Sequence, residues 1–300
     1  MRYFPRLLIL SCLLYSTSAF AAYDTFIEPL YWRATETFDW VHTNNLTPPN
    51  LVIGFKAVTY NFKPGVRVGI GYNGNVDMKL YYTGYYTSAT DSASGNLTTG
   101  FLGGRLTQTA PTTFYQTAQA DYHINFNMID WDIGKHFSVT DSLMLRPLVG
   151  LEGGVINQTF NTNFQNAILS MSDHVTNYFQ GIGPKMGIES SLIIWSNYNY
   201  RYGLVADFET SYLWGRWKIN EITTTNTSKS VLVNIANRNF GSLGLQGMLG
   251  VSFTHKNFNA KLGYEISDWL NQCQFFSDET GTQNNDLVLQ GLTLSLNYKF

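Results

Sequence analysis

Every second residue from Val58 to Tyr72 is apolar or proline: Val58, Tyr60, Phe62, Pro64, Val66, Val68, Ile70, Tyr72. The residues between are Thr59, Asn61, Lys63, Gly65, Arg67, Gly69 and Gly71. A period of two puts these sets on opposite faces of a strand. The unbroken phase predicts one long strand with Pro64 near a rim, where a missing ladder N–H is tolerated. The rhythm recurs six times. Met78, Leu80, Tyr82 and Tyr86 alternate with Asp77, Lys79, Tyr81 and Thr83, and Leu143, Leu145, Val149, Leu151 and Val155 with Arg146, Gly150, Glu152 and Gly154. Ile182, Met186, Ile188 and Leu192 oppose Lys185, Gly187 and Glu189. Leu204, Ala206, Phe208, Tyr212 and Trp214 oppose Asp207, Glu209 and Ser211. Leu243, Leu245, Leu249, Val251 and Phe253 oppose Gln246, Gly250 and Ser252, and Phe258, Ala260, Leu262, Tyr264 and Ile266 oppose Asn259, Lys261 and Glu265.

One segment changes phase. Tyr122, Ile124, Phe126 and Met128 are apolar at even positions, then Ile129, Trp131 and Ile133 at odd ones, which predicts a β-bulge near Met128–Ile129. Short connections fall at 74–76, 138–142, 196–202 and 255–257, and long polar ones near 35–51, 88–113, 158–175, 220–237 and 268–285. Short turns at one end and long loops at the other are the asymmetry of an outer-membrane barrel. The expected fold is therefore an all-β, closed antiparallel transmembrane β-barrel of about ten strands. The count becomes about twelve if Lys63–Gly65 is a turn or 88–113 hides a hairpin. Residues 24–34 supply the first strand, with its facing unresolved.

The N-terminus supports export. Arg2 and Arg6 precede the apolar run Leu7-Leu8-Ile9-Leu10 and Leu13-Leu14, and Ala19-Phe20-Ala21 is a small-x-small cleavage site, so residues 1–21 read as a signal peptide and 22–300 as one barrel domain. Without Arg2 and Arg6 the chain has 17 basic and 21 acidic side chains, a net charge of −4, which offers no footprint for nucleic acid. Only 13% of residues are charged and 15% are aromatic, against about 25% charged in soluble domains. Beyond the signal no apolar run approaches the roughly 18 residues of a membrane helix, so a membrane-spanning chain must cross as strands. Cys273 is the one cysteine of the mature part, so no intrachain disulfide forms, and it reads as a small residue near a loop.

In such a barrel the apolar face meets lipid and the polar face the lumen. The candidate lumen-lining residues are Arg67, Lys79, Asp130, Asp132, Arg146, Glu152, Lys185, Glu189, Asp207, Glu209, Lys261 and Glu265. Charges of both signs on neighbouring strands fit either a salt-bridged interior or a lining that selects ions and small solutes. Tyr72, Tyr86, Trp131, Trp195, Tyr212, Trp214, Trp269, Tyr298 and Phe300 lie toward strand ends and suit interfacial girdles. At the C-terminus Leu292, Leu294, Leu296, Tyr298 and Phe300 alternate up to a terminal aromatic, similar to the signal that the barrel assembly machinery recognises.

The strings Leu30-Tyr31-Trp32-Arg33-Ala34, Pro64 to Tyr72 (PGVRVGIGY) and Met128 to Lys135 (MIDWDIGK) resemble the family of pore-forming outer-membrane proteins typified by the major outer-membrane protein of Legionella, also called chlamydial-MOMP-like. So do Leu145 to Leu151 (LRPLVGL), Gly181 to Gly187 (GIGPKMG) and Leu289 to Leu294 (LQGLTL), which spread the resemblance over nearly the whole mature chain. The resemblance implies the outer membrane of a Gram-negative bacterium and passive diffusion of small hydrophilic solutes or ions. The cysteine-rich character of the prototype does not carry over to a chain with Cys273 alone.

Two other functions compete. A structural or adhesin-type surface barrel would act through loops such as Thr223-Thr224-Thr225-Asn226-Thr227-Ser228. A rim enzyme would need a nucleophile, base and orienting group. The histidines His42, His123, His136, His174 and His255 are scattered, no G-x-S-x-G is present, and Asp130-x-Asp132 is a spacing that one polar strand face produces unaided. The chain is therefore read as a non-enzyme without metal or organic cofactor. Its expected partners are outer-membrane lipid and lipopolysaccharide, the assembly machinery and small solutes, with oligomerisation left open.

Overall fold

A computed structural model describes residues 23–36, 38–45, 52–102, 114–226, 230–277 and 281–300; the expected signal peptide lies outside them. The strands are β1 (Tyr23–Thr35), β2 (Asp39–Asn45), β3 (Val52–Ala57), β4 (Lys63–Tyr72), β5 (Asp77–Thr99), β6 (Tyr115–Gly134), β7 (Phe137–Ser138), β8 (Leu143–Gln165), β9 (Ser170–Ser196), β10 (Tyr200–Thr225), β11 (Ser230–His255), β12 (Phe258–Ser277) and β13 (Gly281–Lys299). Ten of them form the wall, each antiparallel to its chain neighbour in that set. β1 pairs with both β4 and β13, which closes the sheet and leaves no open edge. β2 and β3 form a hairpin that adds to the far end of β5 through Val41–Thr43, and β7 is a two-residue appendage of β8.

The wall has two halves with opposite chemistry. A tilted strand crosses a bilayer in about 9–11 residues, yet β9 has 27 and β10 has 26. The half next to the short turns follows the expected rule. Val66, Ile70, Leu80, Val149, Ile182 and Leu204 point outward and are exposed, while Arg67, Arg146 and Lys185 point inward. In the loop-end half the faces exchange roles. Ile124, Phe126, Ile156, Phe160, Phe164, Phe179 and Trp217 point inward and are buried, while their alternates Asn125, Asn157, Asn161, Asn163, His174 and Lys218 face out. Water outside the barrel there favours a polar outer face, and the apolar side chains find their burial inside.

This inversion corrects several expectations. No register shift occurs at Met128–Ile129; β6 alternates without interruption, and Ile129 begins the lipid-facing row just where Met128 ends the inner apolar one. The segment 58–62 is not strand. Val58 and Tyr60 are buried within the barrel mouth, β4 begins at Lys63, and Pro64 lies opposite Tyr31 near the rim. The expected long loops at 158–175, 220–237 and 268–285 are mostly strand. β8 and β9 are joined by residues 166–169 alone, and β10 runs to Thr225. Trp269 is 2% exposed against Phe126 in the interior and is not a girdle residue, and Cys273 is buried in the same core on β12. The remaining girdle aromatics are exposed, as are Leu292, Leu294, Tyr298 and Phe300 on β13 and at its end.

Candidate functional site: the lumen

All twelve charged candidates point into the half of the barrel next to the short turns, and most of them fall into three ion-paired groups. In the first, the Arg67 guanidinium on β4 donates to Glu28 Oε2 at 2.7 Å and Glu265 Oε1 at 2.8 Å, while its Nε donates to Thr83 Oγ1 at 3.0 Å. Glu265 also accepts from Thr293 Oγ1 at 2.7 Å and Gln246 Nε2 at 2.8 Å. In the second, Arg146 on β8 bridges Asp77 and Glu189, with Nε to Asp77 Oδ1 at 2.7 Å and Nη1 to Glu189 Oε1 at 2.6 Å; Lys79 Nζ reaches the same Glu189 oxygen at 2.7 Å. In the third, Lys185 on β9 lies 2.9 Å from Asp130, 3.4 Å from Asp132 and 2.7 Å from Glu209, and donates to the Tyr81 hydroxyl. Asp207 and Lys261 attract each other without a contact pair, and Glu152 sits beside Lys185. Glu28, Asp77 and Tyr81 complete these groups and were not singled out from the sequence. Asp77 and Tyr81 stand on the polar face of their strand, so the alternation pointed to them; the facing of Glu28 could not be read.

Gly134 makes room for the second group. A Cβ built there would lie 2.6–2.7 Å from the Arg146 guanidinium. Gly134→Leu is expected to displace Arg146 from Asp77 and lower stability by about 1–3 kcal/mol through overpacking and broken pairing, read as a lower urea midpoint. An unchanged midpoint would mean that Arg146 is not held at that wall.

Open space narrows along the lumen. A recess of about 390 Å³ opens at the short-turn end, lined among others by Arg146, Glu189, Arg201, Lys256 and Lys261. Above it lies a space of about 70 Å³ among Arg67, Tyr81, Asp207 and Glu209, then one of about 10 Å³ beside Lys185 and Trp269, at the lower limit for a single water.

Beyond this point the lumen is filled by packed rings. Phe126 meets Trp269 at 5.6 Å, Tyr122 meets Phe160 at 4.7 Å and Phe179 meets Trp217 at 4.5 Å between ring centres. The segment between β1 and β4 adds Phe38, Trp40, Val58 and Tyr60 from inside the mouth. Phe38 packs on Phe101 at 5.1 Å and on Phe160 at 5.8 Å, and Tyr60 on Tyr122 at 5.7 Å. Phe38, Val58 and Tyr60 lie on non-strand parts of this insert, Trp40 lies on β2, which pairs with the end of β5, and the rest of the closure is wall.

A short polar chain runs through this apolar layer. Asn177 Nδ2 donates to Gln158 Oε1 at 2.8 Å and to the Gln272 carbonyl at 2.7 Å, and Gln158 donates to Glu36 at the root of the insert. Burial pushes the Glu36 carboxyl up to about 8, against the opposing hydrogen bonds of Tyr122, Gln158 and Tyr60. The folded protein thus keeps a proton that the unfolded chain loses near pH 4.5, so stability declines as pH rises between those values, by up to about 1.4 kcal/mol per pH unit, and levels off above. Glu36→Gln is expected to gain on the wild type in urea midpoint as pH is raised from about 5 to about 9. A difference that does not change with pH would show that Glu36 is not buried in its neutral form.

The described histidines stand apart from one another, each with its own neighbours. Tyr86, His123 and Asp121 form a hydrogen-bonded row, 2.8 Å and 3.1 Å, but it lies on the outer wall. His136 contacts Asp77 at 3.5 Å inside the ionic group already described. Among the described residues no cluster of His, Cys, Asp and Glu could hold a metal ion.

A closed antiparallel barrel with a lipid-facing apolar band, two aromatic borders and a charged interior is an outer-membrane β-barrel. Residues 17–300 match the family described as Legionella pneumophila major outer membrane protein precursor, and the chain belongs to that family. It is an outer-membrane protein of a Gram-negative cell. No curated protein matches it. Among solved structures it is similar to the outer membrane protease OmpT from Escherichia coli, at 11% identity over 95% of this chain and 99% of that one, TM-score 0.46. It is also similar to the CymD monoaromatic hydrocarbon channel, at 9% identity over 93% and 89%, TM-score 0.36. The P. putida toluene transporter TodX follows at 8% over 95% and 91%, TM-score 0.33. None of these likenesses bears on activity.

Proposed function

We propose that this protein is a porin-like barrel that rests closed, with a charged lower lumen open to the periplasm and an apolar gate in its extracellular half. The observation that carries this reading is the recess that enters the ionic lumen from the periplasmic mouth and stops at a layer partly supplied by the insert around Phe38, Trp40, Val58 and Tyr60. A path bounded by an inserted segment opens if that segment moves; a path bounded by wall strands alone would not. Over the recess and the space above it ten carboxylates, Asp24, Glu28, Asp77, Asp130, Asp132, Glu152, Glu189, Asp207, Glu209 and Glu265, face eight cations, Arg67, Lys79, Arg146, Lys185, Arg201, Lys256, Lys261 and Lys299, so the acids are in modest excess. When open, the path should prefer small cations. The test is the reversal potential of single openings in a salt gradient across a planar bilayer. A potential of the cation-selective sign is expected; an anion-selective sign would remove the lower lumen as the conducting path.

The second reading, a structural barrel that acts through its exposed surface, is favoured by one observation. Arg67, Lys79, Arg146 and Lys185 each already hold carboxylate partners, which stiffens the interior. A folded barrel that stays silent both with and without its gate aromatics would select this reading. An enzyme is the weakest alternative, because no nucleophile, base and orienting group converge at the rim among the described residues.

A further inference from the structure

On β10 the outward row runs Phe208, Thr210, Tyr212, Trp214, Arg216, Lys218. Trp214 is 69% exposed and marks the outer edge of the apolar band. Arg216 and Lys218 follow on the same face, about 7 Å apart by the rise of two strand residues, and both are exposed. Neither makes an ion pair with a described residue, although most cations of the lumen do. Their cross-strand neighbours on β9 are Gln180 and Tyr178, uncharged hydrogen-bonding side chains.

The placement is local. Just past the last exposed apolar residue of their own outward rows, β6 presents Asn127 and β12 the acidic Asp268, and on β8 Asn157 lies across Tyr178 from Lys218. The β10–β11 register shifts between Trp217 and Ile219, so the ladder is irregular at Lys218 itself, and such irregularities re-aim side chains and increase twist. Behind the row Trp217 is stacked on Phe240 at 5.0 Å and packed on Phe179, which gives the two cations a stiff backing.

We propose that Arg216 and Lys218 form a docking site for the phosphate groups of a phosphorylated glycolipid in the outer leaflet. Just above an aromatic border the nearest anions are lipid headgroups. Arg supplies a planar fork and Lys a point charge for phosphate oxygens, and the Tyr178 hydroxyl and Gln180 amide lie beside them for sugar or phosphate contacts. Trp214 below would pack against the first part of the acyl chains. The site lies on the outer wall and does not depend on the gated-pore reading.

The test titrates the refolded barrel in mixed micelles with bis-phosphorylated lipid A, its dephosphorylated form and inorganic phosphate. The first is expected to bind with an affinity at least tenfold above the second, and R216Q/K218Q to abolish that preference. Heat-modifiable mobility and bilayer conductance of the variant should match the wild type, and Arg216→Lys should keep part of the preference. Equal affinity for both lipid forms, or a preference that survives R216Q/K218Q, would overturn the proposal. Inorganic phosphate competing as strongly as the lipid would also overturn it, leaving a general anion site.

Discussion

Lys185→Met is expected to destabilise the barrel by about 3–5 kcal/mol. The reason is the number of acids left behind. The ammonium stands between Asp130, Asp132 and Glu209 at 2.7–3.4 Å; the Asp130 and Asp132 side chains are more than nine-tenths buried and that of Glu209 is nearly so. Removing the cation leaves three carboxylates, from β6 and β10, without their nearest opposing charge, beside spaces of about 70 and 10 Å³ that hold few waters. The buried pair is weak evidence of net stabilisation in itself; the cost arises from breaking only one side of it. Lys185→Met with Asp130→Asn and Glu209→Gln should recover much of the loss, because the repulsion disappears with the charge. Urea unfolding followed by heat-modifiable mobility reads both. A neutral Lys185→Met would mean that water reaches this layer freely and that the lumen is wider than the packing indicates.

The second large effect concerns the gate. Phe38→Ala with Trp40→Ala removes two buried rings that come from the insert, leaving the wall aromatics Phe160, Phe164 and Phe179 in place. Buried aromatic truncations of this kind cost about 3–5 kcal/mol each when they line the main core. The expected readout is functional as well: long-lived conductance steps where the wild type shows none. Phe160→Ala is the contrast, since that ring comes from the wall. It should weaken folding by the cost of one such ring, about 3–5 kcal/mol, and open the lumen less, because the insert stays seated. Equal conductance in the two variants would argue that the insert has no special part in closure.

The membrane-spanning half of this barrel could be read from the chain almost residue by residue. Lipid outside demands apolar side chains at every second position, so Val66, Val68, Ile70 or Leu292, Leu294 disclose their facing directly, and the charged alternates Arg67, Arg146 and Lys185 follow. The family motifs lie mostly in this half. The extracellular half defeated the same rule because its reference solvent is different. Once the outer face meets water, Ile124, Phe126 and Phe160 belong inside, and a segment such as 157–164 looks like a polar loop although it is strand. The change of phase at Met128–Ile129 was in fact the mark of the membrane boundary; a bulge is the other physical event with that signature, and the sequence alone offers no way to choose. Trp269 failed for the same reason, being an aromatic near a boundary that turns inward. The facing of Glu28 was hidden, whereas Tyr81 stood on a face the alternation marked and was passed over as an aromatic. β1 carries the mixed run Ile27-Glu28-Pro29-Leu30, and Tyr81 is an aromatic on a polar face whose hydroxyl meets Lys185.

Single-channel recording of the refolded wild-type protein in a planar bilayer tests most directly whether the apolar extracellular half shuts the resting lumen. Heat-modifiable mobility of the same sample establishes that the barrel is folded. Closed traces broken only by brief openings, with steady conductance in the Phe38→Ala, Trp40→Ala variant, are the predicted result. Stable ohmic steps from the folded wild type would contradict it, and the aromatic layer would then have to stand aside from the path.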